Sequence, residues 1–112
     1  MPPAAILSGG RATTAEFVRE TLGDLLQRDR LQVTILLQTL LGYARHGGNV
    51  GGAAGELAIH RNTLTYRLRQ LEQATGLSPY NPAQLPALAL AAFLWTLPAP
   101  PTLPAFAAMA AD

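Results

Sequence analysis

The residues able to do chemistry lie in one short run. His60, Arg61, Asn62, Thr63, Thr65, Tyr66, Arg67 and Arg69 offer imidazole, guanidinium, amide and hydroxyl donors with no carboxylate among them until Glu72. Net charge over the whole chain is only +1, but it is unevenly spread. Before residue 57, Arg11, Arg19, Arg28, Arg30 and Arg45 are cancelled by Glu16, Glu20, Asp24, Asp29 and Glu56. From 57 to 71 there are Arg61, Arg67, Arg69 and His60 and no acid, so the local positive excess falls here. Every basic residue is arginine and none is lysine. A guanidinium can bond guanine N7 and O6 as a fork, and an asparagine amide can do the same for adenine. Phosphate oxygens accept from any donor, including backbone amides at a helix start.

That chemistry needs a scaffold with an apolar back and a donor-bearing front. At roughly 100° per residue, Leu68 and Leu71 fall on the same face as Leu64. Asn62, Thr65, Tyr66, Arg69 and Gln73 fall on the opposite face, and Arg61 and Arg67 lie on the flanks. The spacing predicts a helix from about Arg61 to Thr75, ended by Gly76. Before it, Asn49 is a good cap for a short helix, Val50 to Leu57, and Ala58-Ile59-His60 is a tight connection. A short helix, a tight turn and a longer helix outline a helix-turn-helix at residues 49–76. In that motif the first helix crosses the DNA backbone and the second enters the major groove N-terminus first. Base reading is therefore expected of Arg61 and Asn62, with Tyr66. Arg69, Thr63 and Arg67 are expected to meet phosphate, and His60 is either an N-cap or a phosphate contact. Asn49 and Thr65 complete the candidate DNA-binding set. Each residue also has a plainer reading. Arg67 and Arg69 with Glu72 can be a solvated face whose single pair is worth about 0.3–0.5 kcal/mol, and Tyr66 can be rim packing.

The run Gly47-Gly48-Asn49-Val50-Gly51-Gly52-Ala53-Ala54, followed by Leu57 and by His60-Arg61-Asn62-Thr63-Leu64-Thr65-Tyr66-Arg67-Leu68, resembles the C-terminal helix-turn-helix of PucR/CdaR-type bacterial transcriptional regulators. Gly76-Leu77 and Asn81-Pro82 also fall where that pattern has a Gly-Leu and an Asp-Pro-like turn. The resemblance covers about residues 17–97, and a weaker one extends to the Fis-like helix-turn-helix. It implies the sequence-specific DNA-binding module of a bacterial transcriptional regulator, with double-stranded DNA as partner. Two positions depart from the pattern. A Ser or Thr is usual near Gly51 or Gly52, where it can contact phosphate, and position 65 is often basic where Thr65 stands here. Members of the family are normally longer, with a sensing region before this module, so an effector domain is expected to be absent from this chain.

The remaining elements must carry that motif. A first helix is expected from Thr13, with Glu16 at capping-box spacing and Val18, Leu22, Leu25 and Leu26 on its apolar face. Asp29 caps a second helix, with Gln32 at the reciprocal position. Its wide stripe is Val33, Leu36, Leu37, Leu40, Leu41 and Ala44; Leu31 and Ile35 add a second apolar side, and Gly47-Gly48 ends it. In the third helix Gly51, Gly52 and Gly55 each cost about 1 kcal/mol relative to alanine, so it depends on its neighbours. A fifth helix is expected from Ala83 to Leu97, with Pro86 near its start. No segment alternates as a strand does. The expected architecture is an all-α, five-helix bundle containing a helix-turn-helix. Residues 1–12 are expected as a flexible N-terminal segment, 13–97 as the helical DNA-binding domain and 98–112 as a Pro/Ala-rich tail.

Composition narrows the function classes. With 49% hydrophobic and 13% charged residues the chain can form a packed core. The lack of cysteine removes disulfide scaffolds, thiolate metal sites and cysteine nucleophiles. The apolar run Leu85 to Leu97 is short of the roughly 20 residues a bilayer span needs, and no secretory signal is evident, so a cytoplasmic protein without membrane contact is expected. Glu16, Glu20, Asp24 and Asp29 interleave with arginines as surface pairs do. His46 and His60 lack metal-ligand spacing, Ser8 and Ser78 lack a base, and Gly51-Gly52 is followed by no Lys-Ser/Thr pair. No enzyme, cofactor or metal is expected. The competing function is a helical protein-interaction or dimerisation module whose arginine face binds an acidic protein. The two-sided second helix and the fifth helix (Leu85, Leu88, Leu90, Phe93, Leu94, Trp95, Leu97) predict a homodimer, unless that surface packs on a neighbouring domain.

Overall fold

The computed structural model describes residues 13–97. The expected N-terminal segment and Pro/Ala-rich tail lie outside the described residues, as does the side chain of Thr13 and with it the Thr13–Glu16 capping box. Five α-helices are present among the described residues, and no strand: α1 (Thr13–Leu22), α2 (Arg30–Arg45), α3 (Val50–Leu57), α4 (Arg61–Thr75) and α5 (Leu85–Thr96).

The first helix is shorter than its apolar spacing suggested. Gly23 has φ +53°, a left-handed conformation that stops the α-helix at Leu22. The chain then tightens into a 3-10 segment, Gly23–Gln27. Because residues three apart eclipse in a 3-10 turn, Leu25 still follows Leu22 into the core, and both are fully buried. The same periodicity is thus served by two different helices.

α2 is the centre of the fold, packing on α3, α4, α5 and the 3-10 segment. Asp29 caps it as expected: its Oδ2 accepts from the Leu31 N–H at 3.1 Å and the Gln32 N–H at 3.4 Å. Among the described residues no bond returns from the Gln32 side chain, so the cap is one-sided. Val33, Leu36, Leu37 and Leu40 are buried. The helix ends where the Gly47 N–H donates to Ala44 O and the Gly48 N–H to Tyr43 O, both at 2.9 Å.

α5 starts at Leu85, later than Ala83, because the preceding turn holds its own backbone. The Ala83 N–H donates to Asn81 Oδ1 at 2.8 Å, and the Ser78 N–H donates to Gln84 Oε1 at 2.7 Å. Pro86 then falls in the first turn, where a missing N–H removes no intrahelical bond. Leu88, Ala91 and Ala92 face the core, while Leu90, Phe93 and Leu97 are exposed, as are Leu31 and Ile35 of α2. The Arg30 guanidinium lies 5.0 Å from the centre of the Trp95 ring, joining the start of α2 to the end of α5. α5 packs on α1 and α2, and no Cα of α5 lies within 8 Å of a Cα of α3 or α4. No helix among them is long and apolar enough to cross a membrane.

Candidate nucleic-acid interface

The interface is built from two caps and a left-handed corner. Asn49 opens α3, its Oδ1 accepting from the Gly52 N–H at 2.8 Å. α3 closes at Ala58, which takes φ +57° without being glycine. That corner is held by Ala58 N–H to Gly55 O at 3.2 Å and Ile59 N–H to Ala54 O at 3.0 Å. His60 then opens α4 from an extended conformation, its Nδ1 accepting from the Asn62 N–H at 2.9 Å. An accepting Nδ1 assigns the neutral ring the tautomer with hydrogen on Nε2. His60 is exposed, so the cap leaves Nε2–H as a second donor at the start of the helix. The two expected roles use different nitrogens and do not compete.

α4 divides as its periodicity requires. Leu64, Leu68 and Leu71 are fully buried. Arg61, Asn62, Tyr66 and Arg69 are exposed, with Tyr66 at 57%. Thr63, Thr65 and Arg67 are half-buried. The Thr65 hydroxyl donates to Asn62 O at 3.1 Å. Arg67 leans toward α2, its Nη1 donating to Thr39 Oγ1 at 3.4 Å, while Thr39 donates to Ile35 O at 2.8 Å. Arg67 therefore ties the back of α4 to the central helix by a long hydrogen bond. Arg61, Asn62, Tyr66 and Arg69 make up the exposed donor face, and Asn49 lies exposed at the start of the neighbouring helix.

One cluster was not anticipated. Arg45 and His46, at the end of α2, both meet Glu56 in the last turn of α3. Arg45 forms an ion pair with Glu56 Oε2, and His46 Nε2 lies 2.8 Å from Oε1. Hydrogen bonds from Arg45 and then His46 hold the Glu56 carboxyl below its ordinary value. The partners are ten and eleven residues apart across a turn, a separation that helical periodicity does not pair. Gly52 belongs to this cluster sterically: a Cβ there would come within 2.7 Å of His46 Nδ1. A side chain at position 52 would require the ring to shift.

A tight corner between two capped helices, with a buried leucine stripe and an exposed donor face on the second, defines a helix-turn-helix. The chain belongs to the PucR C-terminal helix-turn-helix domain family, which it matches over residues 36–93. It is 32% identical over 93 residues to the transcriptional activator PmfR of Paenarthrobacter nicotinovorans, covering 83% of this chain and 20% of that protein. Uncharacterized proteins of Mycobacterium bovis and Mycobacterium tuberculosis are each 37% identical over 57 residues, covering 51% of this chain and 14% of theirs. The chain thus spans a small part of the length of these relatives. No solved structure matches it.

Proposed function

We propose that this chain binds double-stranded DNA for a bacterial transcriptional regulator, reading sequence with the N-terminal turns of α4. The observation that carries the reading is the division of α4 into a buried leucine stripe and an exposed face of Arg61, Asn62, Tyr66 and Arg69. In a groove-entering helix the first turn lies deepest, so Arg61 and Asn62 reach base edges, assisted by Tyr66. Arg69 is two turns farther on, where a straight helix leaves the curved groove, and it meets phosphate. Thr63, Thr65 and Asn49 supply short donors beside the backbone. His60 gives Nε2–H to a phosphate while Nδ1 caps the helix, and the Arg67 donors not used by Thr39 remain for phosphate. The work is binding, not catalysis, and it belongs in the cytoplasm where the DNA is. Effector sensing is left to a region outside these residues, in keeping with the greater length of the activator relative.

The reading includes a homodimer through α5 and the start of α2. α5 carries no charged residue, and Leu90, Phe93 and Leu97 are exposed on it beside α2, which exposes Leu31 and Ile35. A two-fold pairing sets a surface against its own copy, and within α5 itself no like charges are opposed; Arg30, over the Trp95 ring, adds a charge beside it. Every Cα of α5 lies more than 8 Å from those of α3 and α4, so the pairing surface stands apart from the donor face of α4.

Selection from a randomised duplex pool tests the DNA reading. The wild-type chain is expected to enrich a defined motif, and its affinity is expected to fall linearly with log salt, with a slope of about −0.9 per phosphate neutralised. No enrichment and no salt dependence would contradict it. Salt-sensitive capture of an acidic protein with no enrichment would favour the protein-interaction alternative.

A further inference from the structure

α3 is the weakest element of the motif on physical grounds. It has eight residues, Gly51, Gly52 and Gly55 among them; Ala53 and Ala54 are buried, and Val50 and Leu57 are half-buried against the core. A helix of that length has no stability of its own, and each glycine weakens it by about 1 kcal/mol, so it depends on its neighbours. Its angle against α2 nonetheless sets how α4 is offered to a duplex. The apolar contacts of α3 are Ala53 and Ala54 with the half-buried Val50 and Leu57, the last lying over Gly42 of α2.

Polar contact adds to that packing. The last residue of α2 and its C-cap both reach one carboxylate on α3, and each Glu56 oxygen has its own partner, Arg45 on Oε2 and His46 on Oε1. Gly52 lies one turn before Glu56 and leaves room for the His46 ring, which a Cβ at that position would meet at 2.7 Å. Glu56 is also the only carboxylate between Asp29 and Glu72. A negative charge within a motif that approaches phosphate is repelled by it, and pairing with Arg45 removes that charge from play. Each pair taken alone is a surface contact of small value. Together they join two helix ends across a short turn and restrict the hinge between them.

We infer that Arg45, His46 and Glu56 form a clamp of positioning residues that holds α3 against α2 at the angle needed for DNA binding, without touching DNA. The inference rests on α4 being the DNA-reading helix. Its test compares Glu56→Gln, Arg45→Ala and the charge-swapped double variant Arg45→Glu with Glu56→Arg. Two probes are used: a duplex selected by the wild-type chain from a randomised pool, and an unrelated duplex. Both single variants are expected to weaken the selected duplex about two- to fivefold and to change the unrelated duplex less than about twofold, with partial recovery in the swap, which restores the 45–56 pair but not the His46 bond. Tighter binding of both duplexes by Glu56→Gln would make Glu56 only a brake on charge and overturn the clamp. Equal weakening of both by Arg45→Ala, with a shallower salt slope, would make Arg45 a phosphate contact and overturn it too. Amide exchange in α3 separates failure of the clamp from failure of the DNA reading. It is expected to quicken in both single variants and to slow part of the way back in the swap, whether or not any duplex is enriched; unchanged exchange overturns the clamp.

Discussion

His60 shows how one side chain serves the fold and the interface together. Its Nδ1 accepts from the Asn62 N–H, and its Nε2–H is left as a donor. Asparagine caps helices well while alanine does not, so His60→Ala is expected to cost about 1 kcal/mol in urea unfolding and His60→Asn much less. His60→Ala is expected to lose more DNA affinity than its stability loss accounts for, because the Nε2 donor goes with the cap, and His60→Asn, which keeps an amide donor, to lose less. An affinity loss fully explained by stability would reduce His60 to a cap. Glu56 gives a pH signature. Its carboxyl is lowered from 4.5 by Arg45 first and His46 second. A depressed carboxyl contributes stability above its unfolded value, lost as pH falls through the folded one. The acid limb of wild-type unfolding below pH 4.5 is therefore expected to flatten in Glu56→Gln; an unchanged limb would show that the pairs do not contribute in solution. The exposed face of α4 was legible in the sequence because one helix wheel separates Leu64, Leu68 and Leu71 from Arg61, Asn62, Tyr66 and Arg69. The Arg67–Thr39 bond and the Glu56 cluster were not, since both join different helices and depend on how those helices cross.

At the scale of elements, caps and breakers were readable and boundaries depended on tertiary context. Asp29, Asn49, Gly47-Gly48 and Gly76 stop or start helices where their chemistry suggests. Gly23 does so as well, but the apolar spacing through Leu25 concealed it, because a 3-10 turn preserves the same buried face. The start of α5 moved to Leu85 because Asn81 and Gln84 hold the preceding turn. The glycines of α3 offer a direct comparison. A Cβ at Gly55 meets nothing within 4 Å, whereas one at Gly52 collides with the His46 ring. Gly55→Ala is expected to raise stability by about 0.5–1 kcal/mol. Gly52→Ala is expected to forfeit that gain, because the ring must move away from Glu56. Equal stabilisation of the two variants in thermal unfolding would show that the ring yields freely.

For the whole molecule, the arrangement separates two surfaces across α2. α3 and α4 lie against one part of the central helix, and the uncharged α5 packs on α1 and α2. The apolar excess of the second and fifth helices was legible in the sequence. Which of its residues stay exposed was not, because that depends on where α5 crosses α2. Leu90 and Phe93, exposed at 50% and 52%, can be replaced without opening the core. Sedimentation is expected to give a dimer for the wild-type chain and a folded monomer for Leu90→Glu with Phe93→Glu. A wild-type monomer at high concentration would contradict the pairing and leave the DNA-binding face unaffected.

The most direct measurement is the base preference of Arg61→Ala and Arg69→Ala, each profiled by selection from the same randomised duplex pool as the wild-type chain. Neither side chain is in the buried leucine stripe, so both variants are expected to stay folded. Arg61→Ala is expected to lose about 1–3 kcal/mol on the selected site and to relax preference at particular positions. Arg69→Ala is expected to keep the wild-type preference, weaken all duplexes alike and reduce the salt slope by about 1. An unchanged preference in Arg61→Ala with an altered one in Arg69→Ala would contradict N-terminus-first entry of α4 into the major groove.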